Sequence, residues 1–200
     1  VKKYKNVFKN FYVPPVPYDG GLNIGACQYH WHHVLGMDRN YNNIISPYLG
    51  ELYSLDNIIE SLNSRKNKIE YKKAGLDEII DILTQDKIVS IFQGRSESGR
   101  RALGNRSIIA SPINPEMKNF INDKVKHRQW YRPFAPSVLH EHGGDWFENY
   151  FLSPYMGFVF DIKKDKLGLA PAIEHKDGTA RIQSVTRDIN KNYYEIIKSF

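Results

Sequence analysis

The chain has 200 residues, 41% of them hydrophobic, and a formal net charge of +6. That length holds one medium domain, or one domain and part of another, and a mean hydropathy of -0.53 with no long apolar run excludes a membrane-spanning helix. The N-terminal "VKKYKNVFKNFY" has no apolar segment behind its lysines and so is no signal peptide, while the single cysteine, Cys27, cannot close an internal disulfide, which points to a reducing, cytoplasmic setting.

In chain order, "NFYVPPVPYDGG" is broken by prolines and cannot be helical. Beyond Asp19, Gly20 and Gly21, the apolar residues Leu22, Ile24, Ala26, Cys27, Tyr29, Trp31, Val34 and Leu35 predict a mostly buried helix ending at Gly36, with Cys27 a small core residue. His30 and His33 lie one turn apart, a spacing a metal could use. No cysteine or carboxylate pattern sits beside them, and they read as packing at the helix edge. "MDRNYNNIISPYLGELYS" is polar, broken by Pro47 and Gly50, and reads as a linker. "LDNIIESL" predicts a short helix with Asp56 as a possible cap. "GLDEIIDILTQDKIVSIFQG" predicts a helix, a turn and the strand "KIVSIFQ", with an Arg-rich loop directly after it. "NPEMKNFINDKVK" is helical, with Asn114 as N-cap and Pro115 at the first helical position. "FAPSVLH", "YMGFVFDI" and "TARIQSV" read as strands, and "NKNYYEIIKSF" as an amphipathic helix. Alternating helices and strands predict an α/β domain. With no initiator methionine, the chain is expected to be a fragment of a longer protein.

The charge is concentrated. Between Arg95 and Arg132 stand nine lysines and arginines against Glu97, Glu116 and Asp123, which accounts for the whole excess. A diffuse basic coat suits nucleic acid or a membrane surface; a local cluster among glycines suits a pocket for a small polyanion, with a solvated charged face as the plain alternative. Three stretches could supply it. "GRSESGRRALGNRS" joins four guanidiniums, whose forks match phosphate oxygens, to glycines that let backbone approach a ligand. It is neither a Walker loop nor a G-x-G-x-x-G turn. "VKHRQWYRPFAPSVL" offers Lys126, Arg128 and Arg132. "EHKDGTARIQSV" places Arg181 and Gln183 on one face of a strand and Ala180 and Ile182 on the other, so Arg181 calls for an anionic partner.

Together, "FQGRSESGRRALGNRSIIASP", "VKHRQWYRPFAPSVL" and "APAIEHKDGTARIQSV" resemble the C-terminal region of the ATP-dependent O-carbamoyltransferases of nodulation-factor and antibiotic biosynthesis. The resemblance covers about residues 10–200. It implies two catalytic parts: an actin-like, metal-binding domain that passes a carbamoyl group to an acceptor hydroxyl, and a YrdC-like α/β domain with a twisted mixed sheet. The latter binds ATP, with Mg²⁺, and carbamoyl phosphate, and forms a carbamoyl-adenylate with loss of pyrophosphate. On this likeness, residues 1–37 are the end of the actin-like domain, 38–50 a linker, and 51–200 the YrdC-like domain, truncated at its C-terminus.

Asp19 matches a P-x-x-x-D-x-G pattern that supplies a ligand for iron or another divalent metal, the other ligands lying upstream. Arg101, Lys126, Arg132 and Arg181 align with residues holding carbamoyl phosphate and nucleotide phosphates. Arg95, Gly104, Asn105, Arg106 and Ser107 belong to the same signature. Departures exist: Arg100 stands where the family usually has proline, Gln129 where it has glutamate, and a further N-T-S-F-N strand would follow the last helix. The implied partner is a small molecule with an acceptor hydroxyl. Two other readings stay open: a nucleic-acid module in which "HRQWYRPF" stacks bases, and an inactive relative used as a binding surface.

Overall fold

The structure, a computed structural model, describes residues 7–8, 11–39 and 46–200. Residues 40–45 of the stretch read as a linker lie outside the described residues, as do 1–6 and 9–10 of the N-terminal part. Helices and short strands alternate along the chain: α1 Leu22–Tyr29, α2 Leu55–Asn63, α3 Leu76–Thr84, β1 Val89–Phe92, β2 Arg106–Ile109 and α4 Met117–Phe120 form its first part. Then come β3 Ser137–Leu139, α5 His140–Trp146, β4 Val159–Asp161, β5 Thr179–Arg181, β6 Gln183–Val185 and α6 Lys191–Ser199. Among the described residues, no helix is long and apolar enough to cross a membrane.

The strands pair in twos: β1 with β2 antiparallel, β4 with β5 antiparallel, and β3 with β6 parallel. "TARIQSV", expected as one strand, is two. It changes partner at Ile182, leaving β4 after Arg181 and joining β3 at Gln183. Ile182 is fully buried at the crossover, with Ala180 buried beside it, against Phe147, Phe160, Ile162 and Ile173. Each large apolar side chain sealed there contributes roughly 1.5–3 kcal/mol, which fixes the register that points Arg181 away from the core.

Two helices frame the cavity described below. In α6, Asn190 caps the first turn by accepting from the Tyr193 N–H, and the helical period turns Tyr193 and Ile196 inward. In α3 the same period buries Leu83, and α3 packs on α6.

Three expectations are corrected. The helix from Leu22 is present and widens into a π-helical turn over His30–Val34 before Gly36 stops it at φ +64°, but it has no buried residue. Its apolar side chains, Leu22, Tyr29, Trp31 and Val34 among them, are exposed, and Cys27 is exposed as well. Periodicity shows which residues share a face, not whether the described chain covers it. The cap of α2 is Ser54, not Asp56: its hydroxyl accepts from the Asn57 N–H while Asn57 Oδ1 accepts from the Ser54 N–H, a reciprocal box. Asp56 instead sits in the first turn, where its charge favours the helix N-terminus.

Candidate anion-binding site

The Arg-rich stretch is the long connection of the β1–β2 hairpin. Half-buried Glu97 organises it: one carboxylate oxygen accepts the backbone N–H groups of Leu103, Asn105 and Arg106 at 2.7, 3.0 and 3.2 Å. Three backbone donors that would otherwise lack partners are satisfied at one atom. Pro47 and Tyr48, just after the undescribed stretch, strap the loop from outside. The Pro47 carbonyl accepts from the Ser98 N–H and hydroxyl, and the Tyr48 hydroxyl donates to the Leu103 carbonyl at 2.7 Å. Gln183 Nε2 donates to that same carbonyl from β6 at 2.8 Å, tying the loop to the strand beside Arg181. Burial pushes the Tyr48 phenol up to about 12, against the opposing hydrogen bond from Asn190. Gly104 lies at φ +110° and is closed against Tyr193, since a Cβ there would fall 2.4 Å from the ring.

The second basic loop, 126–132, leaves a helix whose last turn widens to a π-turn over Ile121–Val125. His127 then takes φ +46°, which turns the chain so that the Arg128 N–H reaches back to the Asn122 carbonyl at 2.9 Å. Asn122 is fully buried. Its amide donates to the carbonyls of Trp130 and Arg132 at 3.2 and 3.0 Å, and its Oδ1 accepts from Arg128 Nε at 2.7 Å. With the Arg128 guanidinium also 4.7 Å from the Phe134 ring, that side chain is fixed on two sides while its terminal nitrogens are left for the cavity.

Both loops and β5 open onto one cavity of about 410 Å³. Arg100, Arg101, Lys118, Lys126, Arg128 and Arg181 supply its cationic wall, Leu83, Met117, Ile121, Ile196 and Phe200 much of the apolar remainder. Among the described residues no Asp or Glu lines it and none of the six cations forms an ion pair. Arg181 Nε is buried with no hydrogen-bond partner. Burial first, and then the charges of Arg101 and Arg128, pull the Arg181 guanidinium below its ordinary range; burial and Arg132 do the same to Arg128. Uncompensated guanidiniums this close are stabilised by an anion among them, and one with several oxygens satisfies the forked donors best.

The structure thus brings Arg101, Lys126 and Arg181, from three separate stretches, to a single cavity, with Ser107 and Arg128 beside them. Arg132 does not line it: its Nε donates to Gln129 Oε1, and the residue is exposed. Arg95, Asn105 and Arg106 do not line the cavity and are engaged within the protein. Arg95 donates to the Gly50 carbonyl. Asn105, buried, donates to the Arg95 carbonyl and accepts from Asn190. Arg106 stacks 3.6 Å from the Phe92 ring and donates to the carbonyls of Gln93, Gly94 and Asn105. Ser107 accepts from the Gly104 N–H, so these two support each other. Asp19 stands exposed in a short turn, Asp19–Gly21. Among the described residues no group of three or more His, Cys, Asp or Glu could hold a metal. His33 lies against Tyr29, their ring centroids 4.8 Å apart.

Sequence reasoning missed Glu97 and Asn122. The signal for Glu97 was present: it is the lone carboxylate between Gly94 and Ser107. Asn122 carried a weaker one, an amide next to Ile121 on a helix otherwise buried through Met117 and Ile121.

The carbamoyltransferase C-terminus family matches residues 80–200, the part of the chain that holds both loops, β5 and α6. A nodulation protein NolNO of Sinorhizobium fredii is 36% identical over 97% of this chain and 29% of its own length. A nodulation protein NolO of Bradyrhizobium diazoefficiens is 35% identical over 98% of this chain and 37% of its own. An uncharacterized protein of Synechocystis is 36% identical over 96% of this chain and 36% of its own. The chain spans about a third of the length of these curated relatives. With a match over more than half its residues, and with the matched part building the cationic cavity, the chain belongs to the carbamoyltransferase family.

Proposed function

We propose that this chain is the C-terminal, YrdC-like part of an ATP-dependent O-carbamoyltransferase that acts in the cytoplasm. Residues 51–200 bind ATP and carbamoyl phosphate, residues 1–37 belong to an actin-like transfer domain, and 38–50 join the two. The observation that carries this reading is the cavity wall: Arg101, Lys126, Arg128 and Arg181 around one space with no Asp or Glu lining it. Two phosphate-bearing substrates repel each other, by about 4 kcal/mol per pair of like charges at ~4 Å and an effective dielectric of ~20. Fixed guanidiniums offset that repulsion and stabilise charge that builds on departing pyrophosphate. The apolar part of the wall suits a nucleobase, and a cavity of about 410 Å³ is the size of a small-molecule site rather than of an extended nucleic-acid track.

In this reading water takes the phosphoryl group of carbamoyl phosphate, breaking its O–P bond to leave carbamate and inorganic phosphate. A carbamate oxygen then bonds to the α-phosphorus of ATP as the bond to the β-phosphate breaks and pyrophosphate leaves. The acceptor hydroxyl then takes the carbamoyl carbon and AMP leaves. The residues of this chain bind, orient and neutralise; none is required as a covalent nucleophile. Ser107 and Arg101 contact ligand oxygens from the hairpin, Lys126 and Arg128 from the second loop, and Arg181 from β5, all of them residues of the cavity lining. The wall offers Mg²⁺ no Asp or Glu side chain, and among the described residues Asp19 belongs to no group of three or more side chains that could hold a metal.

The test is carbamoyl phosphate-dependent exchange of pyrophosphate into ATP by the full protein. Arg101→Ala and Lys126→Ala are each expected to lower exchange by roughly 100-fold, the scale of losing a preorganised charge donor. Exchange unaffected in both variants would overturn the reading.

A further inference from the structure

The four arginines of the first loop divide evenly. Arg95 and Arg106 donate to backbone carbonyls, whereas Arg100 and Arg101 line the cavity and form no ion pair with a described residue. Arg100 differs from Arg101 in having a footing outside the loop. Its guanidinium carbon lies 4.0 Å from the centroid of the Tyr18 ring.

That ring is itself closely seated. A Cβ on Gly20 would fall 2.8 Å from Tyr18 Cε2, so the missing side chain leaves the ring its place. One residue before Arg100, a Cβ on Gly99 would fall 2.7 Å from the Pro15 carbonyl oxygen. Backbone and side chain around Arg100 are therefore both pressed on the 15–20 segment. A guanidinium stacked by its face keeps its in-plane N–H donors free, and the stack removes rotamer freedom before any anion arrives.

We propose that Arg100 is a further anion-binding residue of the cavity, contacting a terminal phosphate of a polyphosphate ligand, and that Tyr18 is its positioning residue. This rests on the reading of the cavity as a phosphate site. Arg100 reaches it from the mouth, since the residue is exposed yet lines the cavity. Tyr18 touches the guanidinium and not the cavity wall, so it acts through Arg100.

The test is isothermal titration of the full chain with inorganic pyrophosphate. Arg100→Ala, an exposed substitution, is expected to weaken binding roughly 10-fold, the loss of one charge-assisted contact. Tyr18→Leu should weaken it by roughly threefold and Tyr18→Phe, which keeps the stack, should stay within about twofold of the native chain. The double variant should bind no more weakly than Arg100→Ala alone, because Tyr18 has nothing left to position. Arg101→Ala separates this proposal from the reading beneath it. If Arg101→Ala loses binding while Arg100→Ala binds as the native chain does, the cavity stands and the role of Arg100 is overturned. If the native chain takes up no pyrophosphate, the phosphate reading fails and the proposal with it. Additive losses in the double variant would remove Tyr18 alone.

Discussion

Loops 94–107 and 126–132 carry cations to the same cavity, yet each is held together by a side chain of opposite polarity. In the first, Glu97 accepts three backbone N–H groups; in the second, Asn122 donates to two backbone carbonyls and accepts from Arg128. The direction of the backbone decides this. Where a loop turns its N–H groups inward a carboxylate satisfies them, and where it turns carbonyls inward a side-chain amide can donate to two of them without adding charge. The carboxylate also places a negative charge within an arginine-rich hairpin, while the amide leaves the second loop's charge unopposed from within. In both cases one inward side chain ties down backbone polar groups of the loop. Arg100 and Arg101 of the first loop, and Lys126 and the terminal nitrogens of Arg128 in the second, line the cavity.

The contrast can be broken most directly at Glu97. Glu97→Ala leaves three N–H groups without their acceptor, and a loss of about 4 kcal/mol in urea unfolding is expected, together with loss of pyrophosphate binding. Glu97→Gln, which keeps one carbonyl oxygen, should recover part of both. If Glu97→Ala unfolds like the native chain, the carboxylate does not organise the hairpin.

Asn122→Ala comes next, at about 3 kcal/mol, since two carbonyls lose a buried donor and Arg128 loses its anchor. Asn122→Asp sharpens the comparison: it still accepts from Arg128 Nε but cannot donate, so a carboxylate that suits the first loop should fail in the second. Stability equal to that of the native chain in Asn122→Asp would show that polarity does not matter there.

Alkaline pH separates the loops further, because the Tyr48 phenol straps only the first. Burial raises its pKa from 10.0 to about 12, so the folded state holds the proton more tightly than the unfolded chain. That contribution, roughly 2–3 kcal/mol from the shift, is complete below about pH 10 and is lost as pH climbs toward 12. Burial raises Tyr193 and Tyr150 in the same direction. Denaturation followed between pH 9 and 11.5 should show a shallower decline in Tyr48→Phe than in the native chain; identical slopes would remove Tyr48 from the strap.

The smallest effect is expected within the first loop. Arg95→Ala removes an exposed hydrogen bond to the Gly50 carbonyl and should lower stability by under ~1 kcal/mol with pyrophosphate affinity unchanged. A tenfold fall in affinity would place Arg95 among the ligand contacts.

Much of the fold from residue 75 onward was legible. The periods of "LDEIIDILT" and "NKNYYEIIKSF" locate α3 and α6, and the Ala180/Ile182 alternation correctly sends one face of the strand inward. Within the Arg-rich loop, legibility ended at composition. Nothing in "GRSESGRRALGNRS" distinguishes Arg106, which stacks on Phe92, from Arg101, which faces the cavity. Their difference comes from strand pairing: Arg106 is the first residue of β2, opposite Phe92 in β1. The exposed helix from Leu22 shows the same limit from the other side, since an apolar face does not name what lies against it.

Local chemistry, written in the order of residues, determined that arginines and glycines would gather, that Arg181 would share a strand with buried neighbours, and that helices would start and stop near their caps. Tertiary structure decided which cations meet. Gln183 and Tyr48 converge on the Leu103 carbonyl from residues 80 and 55 positions away, and the chain changes partner at Ile182 between β5 and β6. Those contacts depend on chain segments distant in sequence closing over a common core, and no local pattern encodes the distance between them.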